Sequence, residues 1–109
     1  MFGLFKAKTN IKIINCSGLK QLLSEKKLQL IDVRTQEEFQ SGSIASAINI
    51  DVSGSNFNRG IEQLDKNALT VVFCRSGMRS KRAANLMQDK GFNNVVNLQG
   101  GYLAWQRSE

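Results

Sequence analysis

Short apolar runs alternate with helix-patterned stretches along the whole chain, and that alternation leaves few folds open. Residues 12–15, 28–33, 47–50, 69–73 and 95–98 read as strands. Between them, Ser17 is placed as the cap of a helix running to about residue 27, with Leu19, Leu22 and Leu23 as its apolar stripe. Thr35 caps a short helix through Gln40 that Gly42 ends, and residues 58–64 form another. Residues 77–90 form a longer helix, with Ala83, Leu86 and Met87 inward and Gly91 as its stop; residues 102–107 close the chain with Trp105 inward. Residues 69–73 are uncharged and mostly β-branched or aromatic, which marks a central strand. Strands separated by helices predict an α/β fold, a mostly parallel sheet with helices on both faces. Ligands in such folds bind beyond the carboxyl ends of the strands, and Cys74 directly follows the central one.

A chain of 109 residues with 41% hydrophobic content is enough for one compact core without staples. Residues 1–10 are set apart as an N-terminal extension and residues 11–109 as the domain; Phe2, Leu4 and Phe5 make the extension's tip apolar, as in a lightly packed terminus. The formal net charge of +6 suits anionic partners, although a lysine-rich solvated surface accounts for the chain-wide value. Histidine is absent, which removes Cys-His and Ser-His-Asp catalysis and any histidine-based metal site. Cys16 and Cys74 are the only cysteines, too few for an all-thiolate zinc site or a disulfide framework. No metal or cofactor is expected. No apolar run approaches the ~20 residues of a membrane span, and the start lacks a signal-peptide pattern. A cytoplasmic protein without a membrane partner is the expectation. Nucleic acid is not an expected partner either, since the single Trp and single Tyr are not interleaved with basic residues.

The chemistry concentrates in Cys74 through Ser80. Arg75, Arg79, Lys81 and Arg82 cluster there, and no acidic residue occurs between Asp65 and Asp89. Neighbouring cations and a helix N-terminus both favour ionised sulfur. Gly77 permits the backbone angle that a tight curl needs, and such a curl turns several N–H groups inward as an anion nest. With no imidazole available, activation must come from a lowered thiol pKa. Such a nucleophile suits attack on sulfur or phosphorus and is poorly matched to peptide hydrolysis, where the leaving amine needs a proton. Cys16, with no basic loop around it, reads as a structural thiol.

Three segments in order resemble a single-domain rhodanese of the rhodanese-like sulfurtransferase family: Asp32-Val33-Arg34 with Glu38-Phe39; Cys74-Arg75-Ser76-Gly77-Met78-Arg79-Ser80; and Gly91-Phe92, Val95, Leu98 and Gly100-Gly101 with Trp105. The resemblance spans about residues 11–107. It implies a five-stranded parallel fold and a ping-pong route. Cys74 would take the outer sulfur of thiosulfate or another persulfide donor and pass it to cyanide or to a thiol or thiol-protein acceptor. Backbone N–H groups from Arg75 through Ser80, Met78 included, would hold the persulfide, and Arg75 and Arg79 would steer the small anionic donor. Asp32 and Arg34 read as supporting residues, Arg34 pairing with Glu38 four residues on. The sequence departs from the family at Gly42-Ser43-Ile44-Ala45-Ser46-Ala47, where Gly-His-Ile-Pro-Gly-Ala is common. In the resembled family that segment is mainly scaffold, so the fold expectation stands.

Three other readings use the same residues. A cysteine phosphatase of the dual-specificity type needs Cys-x5-Arg, but the residue six after Cys74 is Ser80 and Arg79 comes one place early. A non-catalytic rhodanese-like binding module would commonly lack the cysteine. A persulfide carrier for a protein partner would share the chemistry and differ only in its physiological donor.

Overall fold

The computed structural model describes residues 11–108; the N-terminal extension with its apolar tip lies outside the described residues. Five strands, β1 (Lys12–Ile14), β2 (Gln29–Asp32), β3 (Ile48–Asn49), β4 (Thr70–Phe73) and β5 (Val95–Leu98), form one sheet in the order β1-β5-β4-β2-β3. Every neighbouring pair is parallel, and β4 holds the centre, with Val72 opposite Ile31 on β2 and Asn97 on β5. The helices are α1 (Cys16–Glu25), α2 (Gln36–Gln40), α3 (Phe57–Ile61), α4 (Met78–Asp89) and α5 (Gly101–Arg107).

Successive strand residues point to opposite faces, so the buried strand β4 serves two cores. On one face Val72 and Ile31 meet Phe57 and Ile61 of α3 and Ala83, Ala84 and Met87 of α4. On the other, Val71, Phe73, Leu30 and Leu98 meet Leu19 of α1 and Trp105 of α5. Helices therefore cover both sides, which explains the unbroken apolar run of β4. Fully burying side chains such as Val71, Val72 and Phe73 contributes about 1.5–3 kcal/mol apiece.

Local differences from the sequence reading have local causes. The cap of α1 is Asn15, whose side chain accepts from the Gly18 N–H at 2.8 Å, and Ser17 lies inside the helix. Leu23 faces solvent on that helix while Leu19 is buried. Helix α3 stops at Ile61, because the chain then tightens into three-residue turns, Gln63 N–H to Gly60 O and Leu64 N–H to Ile61 O. Gly91 does end α4 with a positive φ of 97°. Ser46, which stands where the resembled family has glycine, adopts the left-handed region with φ 76°.

No helix among the described residues is long and apolar enough to cross a membrane.

Candidate active site

Strand β4 ends at Phe73, and Cys74 begins the loop into α4. Gly77 takes φ 119°, a conformation that bends the chain back on itself, and its N–H points at the Cys74 sulfur at 3.0 Å. Ser80, in the first turn of α4, brings its hydroxyl to 3.4 Å from the same sulfur. Cys74 is buried and its thiol is free. Burial pushes the thiol pKa up and is the largest single influence. The Ser80 hydroxyl and the N–H groups of Ser80, Gly77 and Ser76 together outweigh it and hold the thiol below its ordinary value.

The sequence assigned that stabilisation to guanidinium neighbours as well as to the backbone. The largest favourable contributions come from the loop amides and Ser80. Arg75, Lys81 and Arg82 are exposed. Arg79 turns its guanidinium to Glu38, with Nη1 to Oε1 at 2.8 Å and Nη2 to Oε2 at 3.0 Å. Its pKa is raised mainly by that contact, partly opposed by burial, and the charges of Cys74 and Asp51 add to it. Arg79 thus lies within electrostatic reach of the sulfur while its hydrogen bonds are committed elsewhere. Among the other loop residues, Ser76 and Met78 are exposed.

Glu38 carries more than the sequence assigned to it. It closes the capping box of α2, accepting from the Thr35 N–H at 3.0 Å, while its own N–H donates to the Thr35 hydroxyl. The Arg79 fork, followed by the Thr35 contacts, overcomes burial and lowers its carboxyl to about 2. The expected Arg34–Glu38 pair does not form. Arg34 precedes α2, so the spacing rule for two residues on one helix does not govern it. Its guanidinium turns inward to Asp32, with Nη2 to Oδ2 at 2.7 Å and Nε to Oδ1 at 2.9 Å. It also donates to the Gly42 carbonyl at 2.6 Å and lies 4.5 Å from the Tyr102 ring centroid. Asp32 accepts further from the Arg34 N–H and the Ser43 hydroxyl. The Asp32 contact raises the Arg34 pKa, against the opposing effect of burial.

This buried pair lies under the helix that clamps the loop from behind. Tyr102 N–H donates to the Cys74 carbonyl at 2.8 Å and Leu103 N–H to the Arg75 carbonyl at 3.1 Å. The unsatisfied N–H groups of the first turn of α5 thereby fix the loop's backbone. Asn97 is a second residue the sequence reading passed over. Its Oδ1 lies 2.6 Å from the Ser80 hydroxyl and its Nδ2 donates to the Gly77 carbonyl at 3.3 Å. A polar side chain at the α4-facing position of Val95-Val96-Asn97-Leu98 was the available signal. A separate hollow of about 410 Å³, walled by Asn49, Asp51, Ser55 and Asn56 among others, lies between the end of β3 and the loop that leads into α3, and Cys74 does not line it. No cluster of three or more metal-ligating side chains occurs among the described residues.

Comparison with known proteins gives a consistent picture. The rhodanese-like domain profile matches residues 16–108. YtwF of Bacillus subtilis is 38% identical over 97 residues, covering 88% of this chain and 91% of the relative. The thiosulfate sulfurtransferase GlpE of Shewanella oneidensis is 31% identical over 100 residues, covering 92% of this chain and 97% of the relative. The structure of the human single-domain sulfurtransferase TSTD1 superposes with a TM-score of 0.78 at 27% identity, covering 92% and 99% of the two chains.

Proposed function

The chain belongs to the rhodanese-like domain family, and on that premise we propose that it moves sulfane sulfur from thiosulfate or another persulfide donor, through a Cys74 persulfide, to cyanide or a thiol acceptor. Its sulfurtransferase relatives support a sulfurtransferase role. The observation that carries the finer reading is the Cys74 sulfur, held below its ordinary thiol pKa by N–H groups and a hydroxyl with no imidazole base present.

In the first half-reaction the Cys74 thiolate attacks the outer sulfur of thiosulfate. A new S–S bond forms at Cys74 as the S–S bond of thiosulfate breaks, and the electron pair leaves with sulfite. In the second, cyanide or a thiolate attacks the outer persulfide sulfur, and the electron pair returns to Cys74. Neither step requires a protonated leaving group, which suits a site without histidine. The loop amides of Arg75 through Ser80 would hold the anionic persulfide, and Arg75 and Arg79 would attract the donor. Ser80 occupies the position where a phosphatase loop would put its clamping arginine. That supports sulfur transfer over phosphoryl transfer.

The test is to incubate the protein with thiosulfate and measure its intact mass, then add cyanide and measure thiocyanate, for the wild type and Cys74→Ser. One added sulfur atom, removed by reductant, and thiocyanate formation that disappears in Cys74→Ser are expected. Thiocyanate formation undiminished in Cys74→Ser, or cleavage of an aryl phosphate without a sulfur adduct, would overturn the reading.

A further inference from the structure

Beside the loop, exposed apolar side chains and uncommitted cations share one face. Met78, at the start of α4, is 77% exposed, and Ile13, on the edge strand β1, is 65% exposed. A shallow groove of about 310 Å³ runs along α4 between Met78, Lys81, Arg82, Asn85 and Leu86. A smaller hollow of about 160 Å³ lies between Ile11, Ile13, Lys81 and Asn97. Lys81 walls both, so the two form one surface from the mouth of the loop to the edge of the sheet. Among the described residues the ion pairs engage Arg34 and Arg79, while Arg75, Lys81 and Arg82 have no acidic partner.

We propose that this face docks an acidic protein that presents the accepting thiol on an apolar tip flanked by Asp or Glu, a partner class that rests on the sulfur-transfer reading above. A small anion needs neither Ile13 nor Leu86, whereas a protein tip can cover both while its carboxylates meet Lys81 and Arg82 at the rim. Rim charges of this kind set association rate and partner choice more than they set raw affinity. Met78 stands four residues after Cys74, so a tip lying along α4 reaches the loop at the same time. The acceptor thiolate then attacks the outer sulfur of the Cys74 persulfide. The acceptor–sulfur bond forms, the bond to Cys74 breaks with its electron pair staying on Cys74, and no external oxidant or reductant enters.

Two cysteine peptides of equal length and equal apolar content, one flanked by Glu and one by Lys, serve as probes against the full chain preloaded with thiosulfate. Transfer to the acidic peptide is expected to be at least ~10-fold faster at low salt, with the advantage shrinking as salt is added. Lys81→Gln combined with Arg82→Gln, both exposed, should abolish that preference, while thiosulfate still leaves one sulfur on Cys74 as in wild type. Equal rates for the two peptides, or a preference that survives the double substitution, would overturn the proposal. So would a concentration-dependent dimer in sedimentation that the double variant loses, since the face would then belong to a second copy. Binding of the same peptides with Ser in place of Cys, followed by fluorescence anisotropy, reads docking separately. Loss of the sulfur adduct with binding preference intact defeats only the transfer reading, and equal binding of the two peptides defeats only the docking surface.

Discussion

Gly101 sits so close to Cys74 that a Cβ on it would lie 2.5 Å from the Cys74 carbonyl oxygen and 2.6 Å from that of Arg75. Its φ of 60° adds a second reason for glycine. The close approach lets α5 deliver the Tyr102 and Leu103 N–H groups to those carbonyls. Gly101→Ala should therefore cost about 3 kcal/mol, combining left-handed strain with the shift needed to relieve the overlap. Urea denaturation measures that cost. Because the overlap is with the loop itself, sulfur-adduct formation in the folded fraction should also fall, whereas Gly54→Ala, where a Cβ meets only ordinary contacts, should leave both readouts near wild type.

Asp32 and Arg34 are both buried, with side-chain exposures of 0% and 5%. Removing one charge strands the other, which costs far more than the pair contributes by being present. Asp32→Asn is expected to lower stability by about 3–5 kcal/mol. Replacing both residues, as Asp32→Asn with Arg34→Met, should cost less than the sum of the single changes. A double-mutant cycle from urea midpoints checks this, and strict additivity would remove the coupling.

The sheet and its central strand were legible because their signal is compositional: uninterrupted apolar runs bounded by turn residues, repeated at helix-length intervals. The Cys74 loop was legible because its residues are adjacent in the chain. The supporting contacts were not, because they join distant segments. Glu38 and Arg79 are 41 positions apart and meet only once α2 and α4 are placed on the sheet. Arg34 was assigned to Glu38 by helical spacing, although it lies outside the helix and its guanidinium follows the buried Asp32 carboxylate. Nothing in the pair Gly100-Gly101 announces which carbonyl would lie 2.5 Å from a Cβ placed on Gly101. The cation cluster drew attention to the thiolate, yet the amides that stabilise it belong to every residue type and leave no mark in a sequence.

Ser46 holds φ 76° in the segment that joins α2 to β3. A residue with a Cβ is penalised there by about 1–2 kcal/mol, and glycine gives back part of the relief through greater freedom in the unfolded chain. Ser46→Gly should raise stability by about 0.5–1 kcal/mol, visible as a higher melting temperature. The hydrogen bond from Ser43 to Asp32 need not change. An unchanged or lower melting temperature would show that Ser46 is not strained.

The Glu38–Arg79 fork gives the fold an acid dependence with a defined sign. Glu38 is lowered from 4.5 to about 2, so its contribution is fully present above about 4.5 and disappears as pH falls toward 2. The side chains are 29% and 34% exposed, so solvent screening limits the pair to about 1 kcal/mol. Glu38→Gln should lose about that much at neutral pH, and the difference from wild type should vanish toward about pH 2. Urea midpoints across that range check both. A gap that persists at the acid end would place the effect in the α2 cap instead of the ion pair.

Among the described residues, Ser80 supplies the only side-chain hydroxyl at the Cys74 sulfur, and its single proton has three acceptors within reach: Asn97 Oδ1 at 2.6 Å, the Gly77 carbonyl at 3.1 Å and the sulfur at 3.4 Å. With the thiol protonated, the short bond to Asn97 is the favoured one. On ionisation the proton can swing to the thiolate, so Ser80 favours the charged form and lowers the pKa. The rate of alkylation by iodoacetamide should therefore rise with pH through a midpoint below that of an ordinary thiol. Ser80→Ala should move that midpoint upward, and at neutral pH alkylation and sulfur-adduct formation should slow together, by roughly the same factor. Stability should carry the matching sign. A lowered thiol pKa stabilises the fold most at pH above the unfolded-chain value, and that advantage fades as pH falls through the folded one. A Ser80→Ala midpoint equal to wild type would leave the loop amides as the main support of the thiolate.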